Sequence, residues 1–147
     1  MTQLRYEPAK DEDVDYFREL NHACYSDLVE RQFGPWEPSF QDKKFDVKWQ
    51  TQKFLKVYAA SELAGGVWVD EYPDYRRLRE IQIHPDHQSR GIGTAVILSV
   101  IQESDAQGLP VRLHVLHENQ AVSLYERLGF VTIERTDTQF LMLRPKT

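Results

Sequence analysis

The sequence contains a single cysteine, Cys24, in 147 residues. One thiol excludes a disulfide framework and any zinc site built on paired thiolates. A chain of this length buries enough apolar surface to fold without such a staple, and it fits one domain over residues 1–147. Long hydrophobic runs are also missing. The longest, 95–101, is interrupted by Ser99 and falls far short of the roughly 20 apolar residues of a membrane-crossing helix. The N-terminal MTQLRYEPAKDED lacks the basic, apolar and small-residue succession of a secretory signal. A cytoplasmic, reducing location and no membrane partner are therefore expected. Basic charge is in deficit, with 18 Lys and Arg against 23 Asp and Glu, a net charge of -5 and a pI near 5.5. That balance argues against nucleic acid as a partner. Repeats, low-complexity stretches and Ser/Gly/Pro-rich linkers are absent as well.

What remains alternates strand and helix. Leu4 to Glu7 reads as a first strand, closed by Pro8. The acidic cluster Asp11, Glu12 and Asp13 suits the positive end of a helix dipole, and Val14, Phe17, Leu20 and Cys24 form one apolar stripe behind it. Gly34-Pro35-Trp36 and Pro38 predict a break near 34–38 with helix on both sides. Two strands follow, Phe54–Ala60 and Leu63–Asp70, joined by a turn at Ser61-Glu62. In the next strand, Arg77 to His84, Ile81 and Ile83 share one face and Glu80 and Gln82 the other. A helix over 91–107 ends at Gly108-Leu109-Pro110. Strand Val111–Leu116, helix Asn119–Leu128 and a hairpin of 130–136 with 139–144 complete the chain. Helices interleaved with hairpins predict an α/β (α+β) fold around a mixed sheet.

Chemistry concentrates between Glu80 and Phe130. Gln88-Ser89-Arg90-Gly91-Ile92-Gly93-Thr94 lies between an apolar strand and a long apolar helix. Two glycines one residue apart at a helix start allow a tight turn and leave backbone N–H groups uncovered. With the helix dipole, those groups make an anion site suited to a pyrophosphate. The segment is not a P-loop, because Thr94-Ala95 stand where Lys-Ser/Thr is required. Nor is it a dinucleotide fingerprint, because Val96 stands where a third glycine or alanine belongs.

The segment does match Gln/Arg-x-x-Gly-x-Gly/Ala through Gln88, Gly91 and Gly93, preceded by Ile83-His84-Pro85. A later segment, from His117 through Asn119, Leu124-Tyr125 and Leu128-Gly129-Phe130, carries a second pattern at matching order and spacing. Together they resemble the GNAT superfamily of N-acetyltransferases, over about residues 3–144 and most closely over 78–130. The resemblance implies a mixed, mostly antiparallel central sheet of about seven strands flanked by helices. It implies acetyl-CoA as cosubstrate, with direct transfer of the acetyl group to a primary amine, and no metal is expected; the acidic balance and the aromatic N-terminal segment favour a small cationic or aromatic amine over a protein or peptide. A non-catalytic acyl-CoA-binding regulatory module is the remaining alternative, and a homodimer is compatible with the sequence.

The same resemblance distributes roles. Cofactor contacts fall to Gln88, Ser89, Arg90, Gly91, Ile92, Gly93 and Thr94, largely through their backbone. Asn119, itself a good helix N-cap, bonds the pantetheine arm, with Ser123 and Tyr125 on the helix behind it. A backbone N–H near Ile81, Gln82 or Ile83 polarises the thioester carbonyl. Tyr125 either donates its hydroxyl to the leaving thiolate or is a core tyrosine on the stripe Ala121, Leu124, Tyr125, Leu128.

Glu80 is either the carboxylate that takes up the amine's proton or an ordinary acid paired with Arg77 or Arg79, with Glu30 and Asp70 as alternative bases. A lysine-like amine, of pKa ~10.4, must lose a proton before it attacks, so some such acceptor is required. The pairs His84-x-x-His87 and His114-x-x-His117 invite a metal reading, but strand residues three apart point to opposite faces and no cysteine supports them. Phe33, Trp36, Phe40, Phe45 and Trp49 fit either an acceptor pocket or the core.

Overall fold

A computed structural model describes residues 3–147. Strand β1 (Leu4–Pro8) is followed by a 3-10 turn at Asp11–Asp13, helices α1 (Val14–Phe33) and α2 (Pro38–Trp49), and strands β2 (Leu55–Ala59), β3 (Glu62–Glu71) and β4 (Arg76–Ile83). Then come α3 (Ile92–Ala106), β5 (Val111–Leu116), α4 (Val122–Arg127), β6 (Val131–Arg135) and β7 (Gln139–Arg144). The seven strands form one sheet in the order β1-β2-β3-β4-β5-β7-β6. β1 with β2, β2 with β3, β5 with β7 and β6 with β7 are antiparallel. β4 with β5 is parallel, in register at Arg76↔Val111 and Arg77↔Arg112. The expected mixed, mostly antiparallel sheet with flanking helices is therefore present, and the helix break falls between Phe33 and Pro38.

The chain groups into two compact units whose boundaries fall inside β3, β4 and α3. The first holds the chain up to Trp68 together with Glu80–Gly93. Its core is aromatic: Phe17, Leu20, Phe45, Phe54 and Trp68 are buried together, with the Phe17 and Phe54 rings 4.5 Å apart and Trp68 edge-on to Phe54 at 5.2 Å. Two adjacent glycines on β3 make this packing possible. A Cβ on Gly65 would collide with the Gln82 carbonyl oxygen and one on Gly66 with the Phe17 ring. Here glycine is required for close approach.

The second unit holds Val69–Arg79 with Thr94–Thr147. Val96, Ile97, Val100 and Ile101 of α3 are buried, as are Val111, Leu113 and Val115 of β5, Met142 of β7 and Phe130. Arg76 is buried with them, donating to the Ser104 hydroxyl at 2.9 Å and the Val100 carbonyl at 3.2 Å and pairing with Glu103 at 3.3 Å. Those partners make its burial tolerable.

Three local expectations change. The turn before β3 is at Ala60-Ser61, and β3 already begins at Glu62. On β4 the face that carries Glu80 and Gln82 is the more buried one, because Arg76, Leu78 and Gln82 on it are buried while Ile81 and Ile83 are only half-buried. Hydrogen-bonded polar groups can occupy interior positions that an apolar count assigns to solvent. The third change is α4, which starts at Val122 rather than Asn119.

Candidate active site

In the first unit the Glu80 carboxylate is only 13% exposed and is gripped from three elements. Lys48, in the last turn of α2, donates to Oε2 at 2.9 Å. Tyr25 of α1 donates its hydroxyl to Oε1 at 3.2 Å, and Gln82, two residues along β4, donates to the same oxygen at 3.3 Å. Glu80 is ion-paired, as the ordinary-acid reading expects, but not to Arg77 or Arg79. Lys48 is the partner, and Arg79 pairs with Asp70 at 3.3 Å. Of the alternative bases, Asp70 is engaged by that arginine, and exposed Glu30 accepts from the Trp36 backbone N–H at 3.4 Å.

Gln82 is 2% exposed and also donates to Asn21 Oδ1 at 3.4 Å, which leaves its own Oε1 buried without a partner. Beside it, the Cys24 thiol donates to the Ile83 carbonyl at 3.3 Å. Burial pushes that thiol up to about 11, far from the thiolate form a nucleophile needs.

After β4 the chain makes a 3-10 turn at Pro85–His87, where the His84 ring accepts from the Asp86 N–H at 3.1 Å. Gln88 folds its carboxamide back to donate to the Ile83 carbonyl at 2.8 Å, so its side chain holds the loop in place. Ser89 has φ +65° and Gly91 φ +79°, and α3 begins at Ile92. A Cβ on Gly91 would meet nothing within 4 Å, so glycine is needed there for its backbone angle and the space beside it is open. Residues 88–91 are exposed, Ile92 is buried, and the first N–H groups of α3 lack intrahelical partners. Backbone turned left-handed just before a helix N-terminus forms a concave anion site.

In the second unit Tyr125 is 6% exposed, with its ring edge-on to Phe130 at 5.6 Å. Burial pushes its phenol up to about 12. Asn119 does not cap α4. Ala121 occupies the cap position without a side-chain bond, and Asn119 Oδ1 accepts the Ala121 N–H at 2.8 Å, closing an Asx turn ahead of the helix. Ser123 is exposed, and Thr94 is half-buried.

The histidines are used singly. His87 lies 3.5 Å from Glu62, His114 faces Gln139 at 3.4 Å, and His117 packs on Phe140 at 4.5 Å. Among the described residues no group of three His, Cys, Asp or Glu side chains is placed to hold a metal. The aromatic residues divide. Phe45 and Trp49 stack in the first unit's core, Phe33 and Phe40 are exposed, and Trp36 donates its indole N–H to His22 Nδ1 at 2.8 Å.

Lys48, Tyr25 and Asn21 are the site neighbours that sequence reasoning missed. They lie 32, 55 and 61 residues from their β4 partners, so no local spacing marks them.

The profile described as an acetyltransferase (GNAT) domain matches residues 25–140. The mycothiol acetyltransferase of Streptomyces coelicolor is 37% identical over 111 residues, covering 72% of this chain and 34% of that protein. The chain thus spans about a third of the length of the first curated relatives it matches. An acetyltransferase of Pectobacterium atrosepticum is 29% identical over 127 residues, 83% of this chain and 89% of its own. Among solved structures, PaiA N-acetyltransferase from Thermoplasma acidophilum in complex with coenzyme A has a TM-score of 0.78 at 17% identity, covering 97% of this chain and 99% of that one. The ribosomal-protein-S18-alanine N-acetyltransferase of Escherichia coli has a TM-score of 0.69 at 19% identity, covering 99% and 95%. At such identities the structural likeness speaks for the fold.

Proposed function

The chain belongs to the GNAT superfamily of N-acetyltransferases, and we propose that it transfers the acetyl group of acetyl-CoA directly to the primary amine of a small molecule. The reading treats residues 1–147 as one catalytic domain. The observation that carries it is the loop from Gln88 to Gly91, with its two positive φ angles, leading into the N-terminus of α3. In this reading the N–H groups of 88–94 hold the pyrophosphate, and a backbone N–H at 81–83 polarises the thioester carbonyl. Asn119 and Ser123 belong to the pantetheine contacts.

Glu80 is the base. Its Oε1 already accepts two hydrogen bonds and its Oε2 one, so Oε2 retains a lone pair for the proton of the acceptor. Tyr125 serves the leaving sulfur as a hydrogen-bond donor. A phenol pushed up to about 12 is neutral throughout the working range. Giving its proton outright to a thiolate, of thiol pKa ~8.5, would be more than a thousandfold uphill, so its contribution is the hydrogen bond. Amine nitrogen and carbonyl carbon form the new bond, the carbon–sulfur bond breaks, and the amine's proton leaves through Glu80.

The test is a screen of polyamines, amino acids, aminoglycosides, arylamines and peptides with acetyl-CoA, following thiol release. Turnover with a small amine supports the reading. Tight acetyl-CoA binding with no turnover on any acceptor would assign the chain to acyl-CoA binding without catalysis.

A further inference from the structure

We propose that Lys48 selects the acceptor, favouring amines that also carry a carboxylate over polyamines. The inference rests on the acetyl-transfer reading with Glu80 as base and adds the acceptor's charge class. Glu80 Oε1 is occupied by Tyr25 and Gln82, so the position open to an incoming amine is at Oε2, the oxygen that Lys48 holds at 2.9 Å. An amine delivered there lies beside a fixed ammonium.

The pair is sheltered, with the Lys48 side chain 23% exposed and that of Glu80 13%, so its field is less screened than that of a surface pair. Lys48 and Glu80 cancel, and the site offers no net negative charge to a cation. On the same two helices Arg18 pairs with Asp46 at 2.9 Å, and His22 lies 2.7 Å from Asp42.

Two consequences follow for the acceptor. Compared with an unpaired carboxylate, the Lys48–Glu80 pair holds the acceptor amine less firmly as ammonium, so it reaches its attacking form more readily. A second ammonium on the same molecule adds only repulsion. A carboxylate on it can take one of the Lys48 N–H donors not used by Glu80. The acidic composition of the whole chain, which by itself favours cationic partners, is thus overridden locally by one lysine.

The experiment compares an ω-amino acid, the diamine of equal chain length and the amino alcohol of equal length as acceptors. Thiol release from acetyl-CoA is followed with the wild-type protein, Lys48→Met and Lys48→Arg. The wild-type kcat/KM ratio of amino acid to diamine should exceed that of Lys48→Met by about tenfold or more, from the usual effect of one nearby charge on an amine. Lys48→Arg should keep the wild-type ratio. A lysine that only braces α2 would change all three acceptors alike. An unchanged ratio in Lys48→Met, with turnover intact, overturns the inference and leaves the transfer reading standing. Absence of thiol release with every amine, in protein that binds acetyl-CoA, overturns both.

Discussion

Glu80 and Tyr125 are held by opposite means, the first by hydrogen-bond partners and the second by burial. The Glu80 carboxylate accepts hydrogen bonds from donors on α1, α2 and β4. Tyr125 is buried against Phe130 and stays neutral because its phenolate would be desolvated. A group fixed by partners is disturbed by removing a partner. A group fixed by burial is disturbed by opening its surroundings.

The largest effect is expected at Glu80. Glu80→Gln keeps the shape and removes the charge, and should lower turnover at neutral pH by about a hundredfold or more, the usual share of general-base catalysis. Rate should partly recover at high pH, where free amine is abundant. A wild-type pH–rate profile in this variant would remove Glu80 from the mechanism.

Tyr125→Phe comes next. Losing a hydrogen bond to a developing charge costs about 1.5–3 kcal/mol, or roughly ten- to a hundredfold in rate. Acetyl-CoA affinity should stay within a few-fold, as calorimetry would report. Unchanged turnover with a lower melting temperature would make Tyr125 a core residue only.

The burial arm of the contrast also has a pH signature. Tyr125 and Tyr16 are each pushed from 10.0 to about 12, and Cys24 from 9.0 to about 11, chiefly by burial. The folded protein therefore holds these protons at pH values where the unfolded chain has lost them. Stability should be unaffected by these groups below pH 9 and should fall as pH rises from 9 to 12. Denaturant melts across that range check the sign, and Tyr125→Phe should flatten the fall between 10 and 12.

The smallest effect is at Asn119. Asn119→Ala removes the Asx-turn bond to Ala121 and should cost about 1 kcal/mol of stability. Any loss of acetyl-CoA affinity well beyond that of a loosened turn would mark a direct ligand contact.

Local patterns explain what could be read in advance. The break at 34–38, the run of α3 and the glycine loop each depend on residues within a few positions of one another, so their spacing is visible in the chain. The surroundings of Glu80 were not visible, because Lys48 and Tyr25 reach it from 32 and 55 residues away. The burial of Arg76 and Gln82 was not visible for another reason. Each is polar yet buried, and the partners that allow it, Ser104 and Asn21, belong to other elements. The stripe that marked Tyr125 as either core or site could not separate the two, since a donor kept neutral by burial has to be in the core to work.

The effects on turnover presuppose that the loop before α3 holds the pyrophosphate of acetyl-CoA. Gly91→Asp tests that most directly, because the space beside Gly91 is open and the new carboxylate would stand where the proposed reading puts phosphate. The positive φ at this position makes some loss of stability expected, so calorimetry must be run on protein shown to be folded, with Gly91→Ala as the uncharged control. The account predicts that coenzyme A affinity falls at least tenfold further in the aspartate variant than in the alanine one, about 1.4 kcal/mol or more. Equal affinity in the two folded variants would contradict it.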